Sequence, residues 1–153
     1  MSNKHRMAIS GLVLSASALV SLVVSESYSD KAIVPVPGDV PTIGFGTTEG
    51  VKLGDTITPP KALARALTDI QKFEGALKKC VKVPLSQNEY DSYLELSYNI
   101  GSTAFCNSTL VRRLNAGDYE GACSAIKMWD KFKGQPLRGL TIRREREYQK
   151  CIA

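Results

Sequence analysis

The pattern of this chain changes at Thr58, and that change restricts the possible folds more than any other feature. Between residues 32 and 57 the sequence is cut into short β-prone pieces. Ala32-Ile33-Val34-Pro35-Val36-Pro37 is interrupted by proline, Gly38-Asp39 and Gly54-Asp55 are turn signals, and Pro41-Thr42-Ile43-Gly44-Phe45-Gly46-Thr47 alternates. Pieces this short, separated by Gly and Pro, predict a small antiparallel sheet. From Thr58, a cap residue followed by Pro59-Pro60, the residues Leu63, Leu67, Ile70, Phe73 and Leu77 recur every three or four positions and predict an amphipathic helix. Helical signals then continue to the end. Ser86-Gln87-Asn88-Glu89 is a capping box for a second helix ending near Gly101, and Asn107-Ser108-Thr109 starts a third. Asp118 caps a fourth through Trp129, and Thr141 opens a last one to Cys151 after a loop holding Gly134, Pro136 and Gly139. The fold class is α+β: a small N-terminal β-hairpin lobe, then a larger helical lobe, with a cleft between them the natural place for a site.

At 153 residues the chain is sized for one domain with a real core. Ahead of the hairpin, residues 8–24 carry no charge and follow Lys4, His5 and Arg6, the layout of an export signal. A run of this length sits at the lower edge of what crosses ~30 Å of hydrocarbon. Ser10, Gly11, Ser15, Ser17 and Ser21 weaken it further, so a reversible anchor is expected. Ala16-Ser17-Ala18 also has the small-x-small form of a cleavage site, which leaves a cleaved signal open. The expected organisation is therefore an N-terminal apolar helix within residues 1–25, acting as signal-anchor, and a globular domain over residues 26–153.

A net charge of +5 suits an acidic partner such as a wall polymer or anionic lipid. Apart from Arg143-Arg144-Glu145-Arg146 the basic residues are dispersed and not interleaved with aromatics, so no nucleic-acid partner is indicated. Cys80, Cys106, Cys123 and Cys151 all follow the apolar segment, and in an exported chain they predict disulfides. Three connectivities are possible. Cys80–Cys106 with Cys123–Cys151 is favoured, because each pair closes a helix end onto a later element. The spacings lack the paired C-x-x-C pattern, so no metal site and no cofactor are implied.

The residues that carry chemistry come in a definite order. Glu26 precedes the hairpin; Thr42-Ile43-Gly44-Phe45-Gly46, Ser97-Tyr98-Asn99-Ile100-Gly101 and Gly139-Leu140-Thr141-Ile142-Arg143-Arg144-Glu145 follow. A carboxylic acid with a second polar group to manage water suits acid/base cleavage of a glycosidic bond. From about residue 24 to the C-terminus the chain resembles the phage-type lysozymes of glycoside hydrolase family 24, and more narrowly the signal-anchor-release endolysins. The resemblance implies a lysozyme-like fold and hydrolysis of the β-1,4 bond between N-acetylmuramic acid and N-acetylglucosamine in peptidoglycan, lysing the host cell for phage release. A monomer is expected, exported, tethered to the bacterial inner membrane through residues 8–24, and then released into the periplasm. Tethered, the enzyme is expected to be inactive; on release the apolar segment would fold against the soluble domain and complete the site.

Glu26 and Thr42 match the family's glutamate and threonine. The family's aspartate has no counterpart at its usual place: Pro35 lies nine residues after Glu26, Val36 six before Thr42, and the Glu-to-Thr interval is 16 rather than 15. Asp39 is the nearest hairpin carboxylate, and it is also a common turn residue that bonds its own backbone. Asp30, four residues after Glu26, shares a face with it if the intervening turn is helical. Arg144 matches the arginine that approaches the glutamate, and Asn99 either contacts sugar or closes the turn after its helix. The displaced acid keeps two alternatives open, a lytic transglycosylase working with one glutamate and a catalytically inactive peptidoglycan-binding module. A membrane-anchored lysis helper acting through its apolar segment is a third.

Overall fold

In a computed structural model, which describes residues 4–153, the chain has the α+β class expected of it. Among the described residues there are seven α-helices, α1 (Ala16–Glu26), α2 (Pro59–Cys80), α3 (Gln87–Ile100), α4 (Ser102–Cys106), α5 (Thr109–Asn115), α6 (Tyr119–Ala125) and α7 (Arg138–Ile152). Two small antiparallel sheets pair β1 (Ser29–Ile33) with β2 (Thr42–Gly44), and β3 (Lys131–Phe132) with β4 (Gln135–Pro136). The chain sorts into two compact units, residues 19–72 and residues 4–18 with 73–153.

The unit of residues 19–72 is built around the hairpin. Ser29 pairs with Gly44 and Ile33 with Thr42, with a bulge between them. The other edge of β1 is covered by the segment after the Gly54-Asp55 turn: Ala32 N–H donates to the Asp55 carbonyl (3.0 Å) and Ile57 N–H to that of Asp30 (2.9 Å). Leu22, Ile43, Val51, Ala62, Ala66 and Ile70 are buried. The face of α2 differs from the expected stripe, since Leu63 and Leu67 are 43% and 47% exposed while Ala62 and Ala66 are fully buried. The reason is close approach: Gly44 has φ +64°, and a Cβ there would lie 2.9 Å from the Ala62 Cβ. Small residues are what that contact admits, so size outranks hydrophobicity on this face.

In the second unit α3 packs against α7. Every α3 residue from Glu89 to Ser97 is buried, so its polar residues need internal partners. Glu89 receives Arg6 (Nη2–Oε1 2.7 Å), Asp91 accepts from the Ser15 hydroxyl (2.6 Å), and Glu95 accepts from Lys150 Nζ (2.6 Å). The capping box is formed as the motif predicts: Ser86 Oγ accepts from Glu89 N–H (3.2 Å) and Glu89 Oε2 from Ser86 N–H (2.9 Å). Cys80–Cys106 and Cys123–Cys151 are bonded, with Cα separations of 5.6 and 5.7 Å. By loop-closure entropy alone, links of 26 and 28 residues contribute about 3.5 kcal/mol each.

Several boundaries differ from expectation. Residues 8–24 do not form one helix, but a 3₁₀ turn at Ile9–Gly11, an extended piece, and then α1. Ser15 sets the break, because its hydroxyl caps α1 by accepting from Ala18 N–H (3.1 Å). With 11 residues α1 is about 17 Å long, and no helix among the described residues is long and apolar enough to cross a membrane. The last helix starts at Arg138 rather than Thr141, so Gly139 lies inside it. α4 and the β3–β4 hairpin carry too few residues to give a periodic signal.

Candidate active site

Glu26 is the last residue of α1 and half-buried. The helix stops there because Ser27 takes φ +61°, a left-handed conformation that ends helices and that L-residues adopt at a cost. The chain then enters β1 directly. Ser29, three residues beyond Glu26, pairs with Gly44, two residues beyond Thr42, so the hairpin register fixes where both candidates stand in the unit. Tyr28 braces this corner: its hydroxyl donates to the Ile57 carbonyl (2.9 Å) and its ring lies 5.4 Å from that of Phe45.

Asp30, grouped with Glu26 on the supposition of a helical turn, lies instead in β1 and is exposed. Helical i,i+4 spacing no longer applies once α1 has ended. Asp39 occupies the third position after Val36 in a tight turn: Pro37 supplies the fixed φ, Gly38 has φ +88°, and Asp39 N–H donates to the Val36 carbonyl (2.9 Å). Its carboxylate is exposed and accepts from Val40 N–H at 2.8 Å. The insertion thus folds into a compact turn, and the acid serves that turn's backbone. Thr42 opens β2, half-buried, its hydroxyl donating to the Val40 carbonyl at 3.3 Å.

The Gly-Phe-Gly run beyond Thr42 is a closed loop in which Ile43 and Thr47 exchange both backbone hydrogen bonds (2.9 and 3.0 Å). Thr47 is buried and donates to Asp69 Oδ2 at 2.6 Å, tying the loop to α2. The hydroxyl of Thr47 is therefore committed to structure.

The remaining candidates lie in the other unit. Asn99 is exposed at the end of α3, and the turn after it is closed by Gly101 (φ +93°), whose N–H donates to the Ser97 carbonyl. Arg144 is 1% exposed, far from the plain surface charge a helical arginine usually is. Glu147, equally buried, holds it in a two-pronged pair: Arg144 Nε is 3.0 Å from Oε2, and Nη2 donates to Oε1 at 3.1 Å. Arg143 Nε donates to the same Oε1 at 3.2 Å. Burial pushes the Glu147 carboxyl up to about 7, opposed by the Arg144 and Arg143 charges and reinforced by Glu95. Glu147 escaped the sequence reading, although its i,i+3 and i,i+4 spacing from the two arginines is the available signal.

The phage lysozyme family model matches residues 23–147, a range that takes in Glu26, Thr42, Asn99 and Arg144. A relative described as a SAR-endolysin, from Pseudomonas phage phiKMV, is 38% identical over 90% of this chain and 87% of its own. Among solved structures, an endolysin from Escherichia coli O157:H7 phage FAHEc1 superposes with a TM-score of 0.79 at 35% identity, covering 93% of this chain and 94% of that one. The muramidase domain of SpmX from Asticaccaulis excentricus superposes with a TM-score of 0.84 at 28% identity, over 92% and 98%. The chain belongs to the phage lysozyme family.

Proposed function

We propose that this protein is an endolysin that hydrolyses the β-1,4 bond between N-acetylmuramic acid and N-acetylglucosamine in bacterial peptidoglycan, lysing the host cell for phage release. The observation that carries the proposal is the family match, whose range takes in the helix end bearing Glu26 and the strand opening on Thr42. In this mechanism Glu26 protonates the leaving oxygen, and water attacks the anomeric carbon from the opposite face. Thr42 positions that water through its hydroxyl, Asp39 is the second carboxylate, and Arg144 and Asn99 are supporting residues. Held by Glu147, Arg144 is oriented without spending rotamer freedom on binding.

The geometry of Asp39 favours a second reading. An exposed carboxylate already accepting from Val40 N–H suits a turn better than general-base work. A lytic transglycosylase needs one glutamate and no second acid, because the sugar's own hydroxyl replaces water. Mass spectrometry of products from purified peptidoglycan separates the two: reducing ends support the hydrolase, 1,6-anhydro ends the transglycosylase. Glu26→Gln abolishes both product types, and retained cleavage by that variant refutes the role given to Glu26.

We further infer that residues 1–25 act as a signal-anchor preceding a catalytic domain of residues 26–153, tethering an inactive monomer to the inner membrane before release to the periplasm. The support is the charge-free run of residues 8–24 behind Lys4 and Arg6, together with a relative described as a SAR-endolysin. Collapse of the membrane potential by a protonophore should move full-length protein from membrane to soluble fraction and start lysis; neither occurring refutes the tether.

A further inference from the structure

The cationic residues ahead of the apolar run have a built receptor. Arg6 meets Glu89 through three contacts, Nη2–Oε1 at 2.7 Å and Nε to Oε2 and Oε1 at 3.0 and 3.2 Å. Its guanidinium carbon lies 3.6 Å from the centroid of the Tyr119 ring. Lys4 Nζ is 3.8 Å from Glu89 Oε1 and donates to the Cys151 carbonyl. Beside them Met7 and Leu85 exchange both backbone hydrogen bonds (2.9 and 3.0 Å). Further along, Leu14 N–H donates to Glu74 (2.7 Å) and Ser15 N–H to Asp91 (3.0 Å).

Glu89 is 0% exposed. Within its own helix it needs only to accept from Ser86 N–H, a task that glutamine performs equally well in a capping box. A buried carboxylate is costly unless paired, so the charge requires a further reason. Burial pushes its pKa up, yet the Arg6 and Ser86 hydrogen bonds and the Arg6 and Lys4 charges outweigh that and hold it below the usual carboxylate value. Tyr93 and Tyr119 are the other titratable groups facing this cluster.

We propose that Glu89 and the Tyr119 ring face form a guanidinium-binding site whose occupant is Arg6 of the chain's own N-terminal segment, that the backbone edge at Leu85 holds Met7 beside it, and that filling the site captures this segment after it leaves the membrane. The capture half rests on the anchoring proposed above; the site itself does not. In a tethered protein Lys4, His5 and Arg6 lie on the far side of the bilayer from Glu89, so the site is empty before release and filled after it. The export signal's cations thereby gain a second role in the folded protein.

Glu89→Gln is the discriminating variant, since it keeps the helix cap and leaves the N-terminal sequence untouched. In hydrogen exchange on the purified full chain, the Met7 amide should exchange at least about tenfold faster in Glu89→Gln than in wild type, with α7 amides unchanged. Arg6→Gln should match it, Arg6→Lys should fall between because it keeps charge but loses the planar contact, and the double variant should add nothing. Met7 protection equal to wild type in both single variants overturns the site. For capture, full-length protein released by a protonophore is followed over time. Slower or smaller release of Glu89→Gln supports it. Lost Met7 protection with unchanged release overturns capture while leaving the site standing, and absence of release in wild type overturns the anchoring itself.

Discussion

Replacing Gly44 by alanine tests whether the hairpin is locked to α2 by direct backbone contact. The new methyl would stand 2.9 Å from the Ala62 Cβ and 3.4 Å from its Cα. Ala62 is fully buried and has no χ angle with which to move aside, so the clash opens only by shifting the first turn of α2 against β2. Overpacking of this kind costs about 1–3 kcal/mol. Holding alanine at φ +64° adds about 1 kcal/mol, and the smaller entropy of the unfolded chain returns about 0.5 kcal/mol. The net is a loss of about 1.5–3.5 kcal/mol, or about 3–14 °C in melting temperature for a chain of this size. Thermal unfolding under non-reducing conditions measures it. Adding Ala62→Gly should recover the clash but not the dihedral strain, with a coupling of about 1–2 kcal/mol in the double-mutant cycle. Turnover on a peptidoglycan suspension should also fall, because Thr42 lies two residues from the displaced position. A single variant melting within about 2 °C of wild type, or a cycle with no coupling, refutes the contact.

Two further perturbations test other links. Folding raises the Glu147 carboxyl to about 7 from 4.5, so its contribution to stability is fully present below pH 4.5 and is lost as pH rises through 7. The loss is on the order of 3 kcal/mol. Across pH 4.5–8 the stability of wild type relative to Glu147→Gln should decline by that order, and parallel curves would show that Glu147 does not titrate in this window. Removing Cys80–Cys106 by paired alanine substitution should lower unfolding stability by about 3.5 kcal/mol, read from the urea midpoint at unchanged slope; a loss below about 1 kcal/mol contradicts the loop-closure account.

The longer helices after Thr58 were legible, α4 and the exact start of α7 apart, because their signals are local. The Ser86–Glu89 box and the Asp118 cap, which accepts from Gly121 N–H at 2.8 Å, operate within four residues. The buried face of α2 was legible at Ile70 and Leu77 but not in its first turns, where Ala62 and Ala66 replace Leu63 and Leu67, because that contact is set by Gly44 and alanines carry little weight in a periodicity count. The true end of α1 was equally hidden, since nothing in Ser27 announces a positive φ. For the candidate site, Glu26 and Thr42 are candidates picked out by motif, whereas the committed state of Asp39 is a three-dimensional fact of the Val36–Asp39 turn. Glu89 reads as a cap residue alone, for its second partner lies 83 residues away in the cationic stretch ahead of the apolar run.

That distance has an electrical consequence. If residues 8–24 span the inner membrane before release, Lys4 and Arg6 start on its cytoplasmic side and finish beside Glu89 on the other. Moving one positive charge outward against a cytoplasm-negative potential costs about 2.3 kcal/mol per 100 mV. For two charges the total is about 4.6 kcal/mol, a factor of about 2,000 in the partition between tethered and released forms. The membrane potential thus acts on these two residues directly, and Glu89 supplies a favourable end point once it collapses. Partition of full-length protein should be measured in vesicles whose potential is set by a potassium gradient with ionophore. Lys4→Gln should lower the voltage dependence by about 2.3 kcal/mol per 100 mV, because one charge fewer crosses. Glu89→Gln should leave the slope unaltered and displace the whole curve towards the tethered form, since it changes the end point and not the charge moved. A Lys4→Gln slope equal to that of wild type would mean that these cations do not cross with the segment, and the coupling between voltage and docking would be wrong.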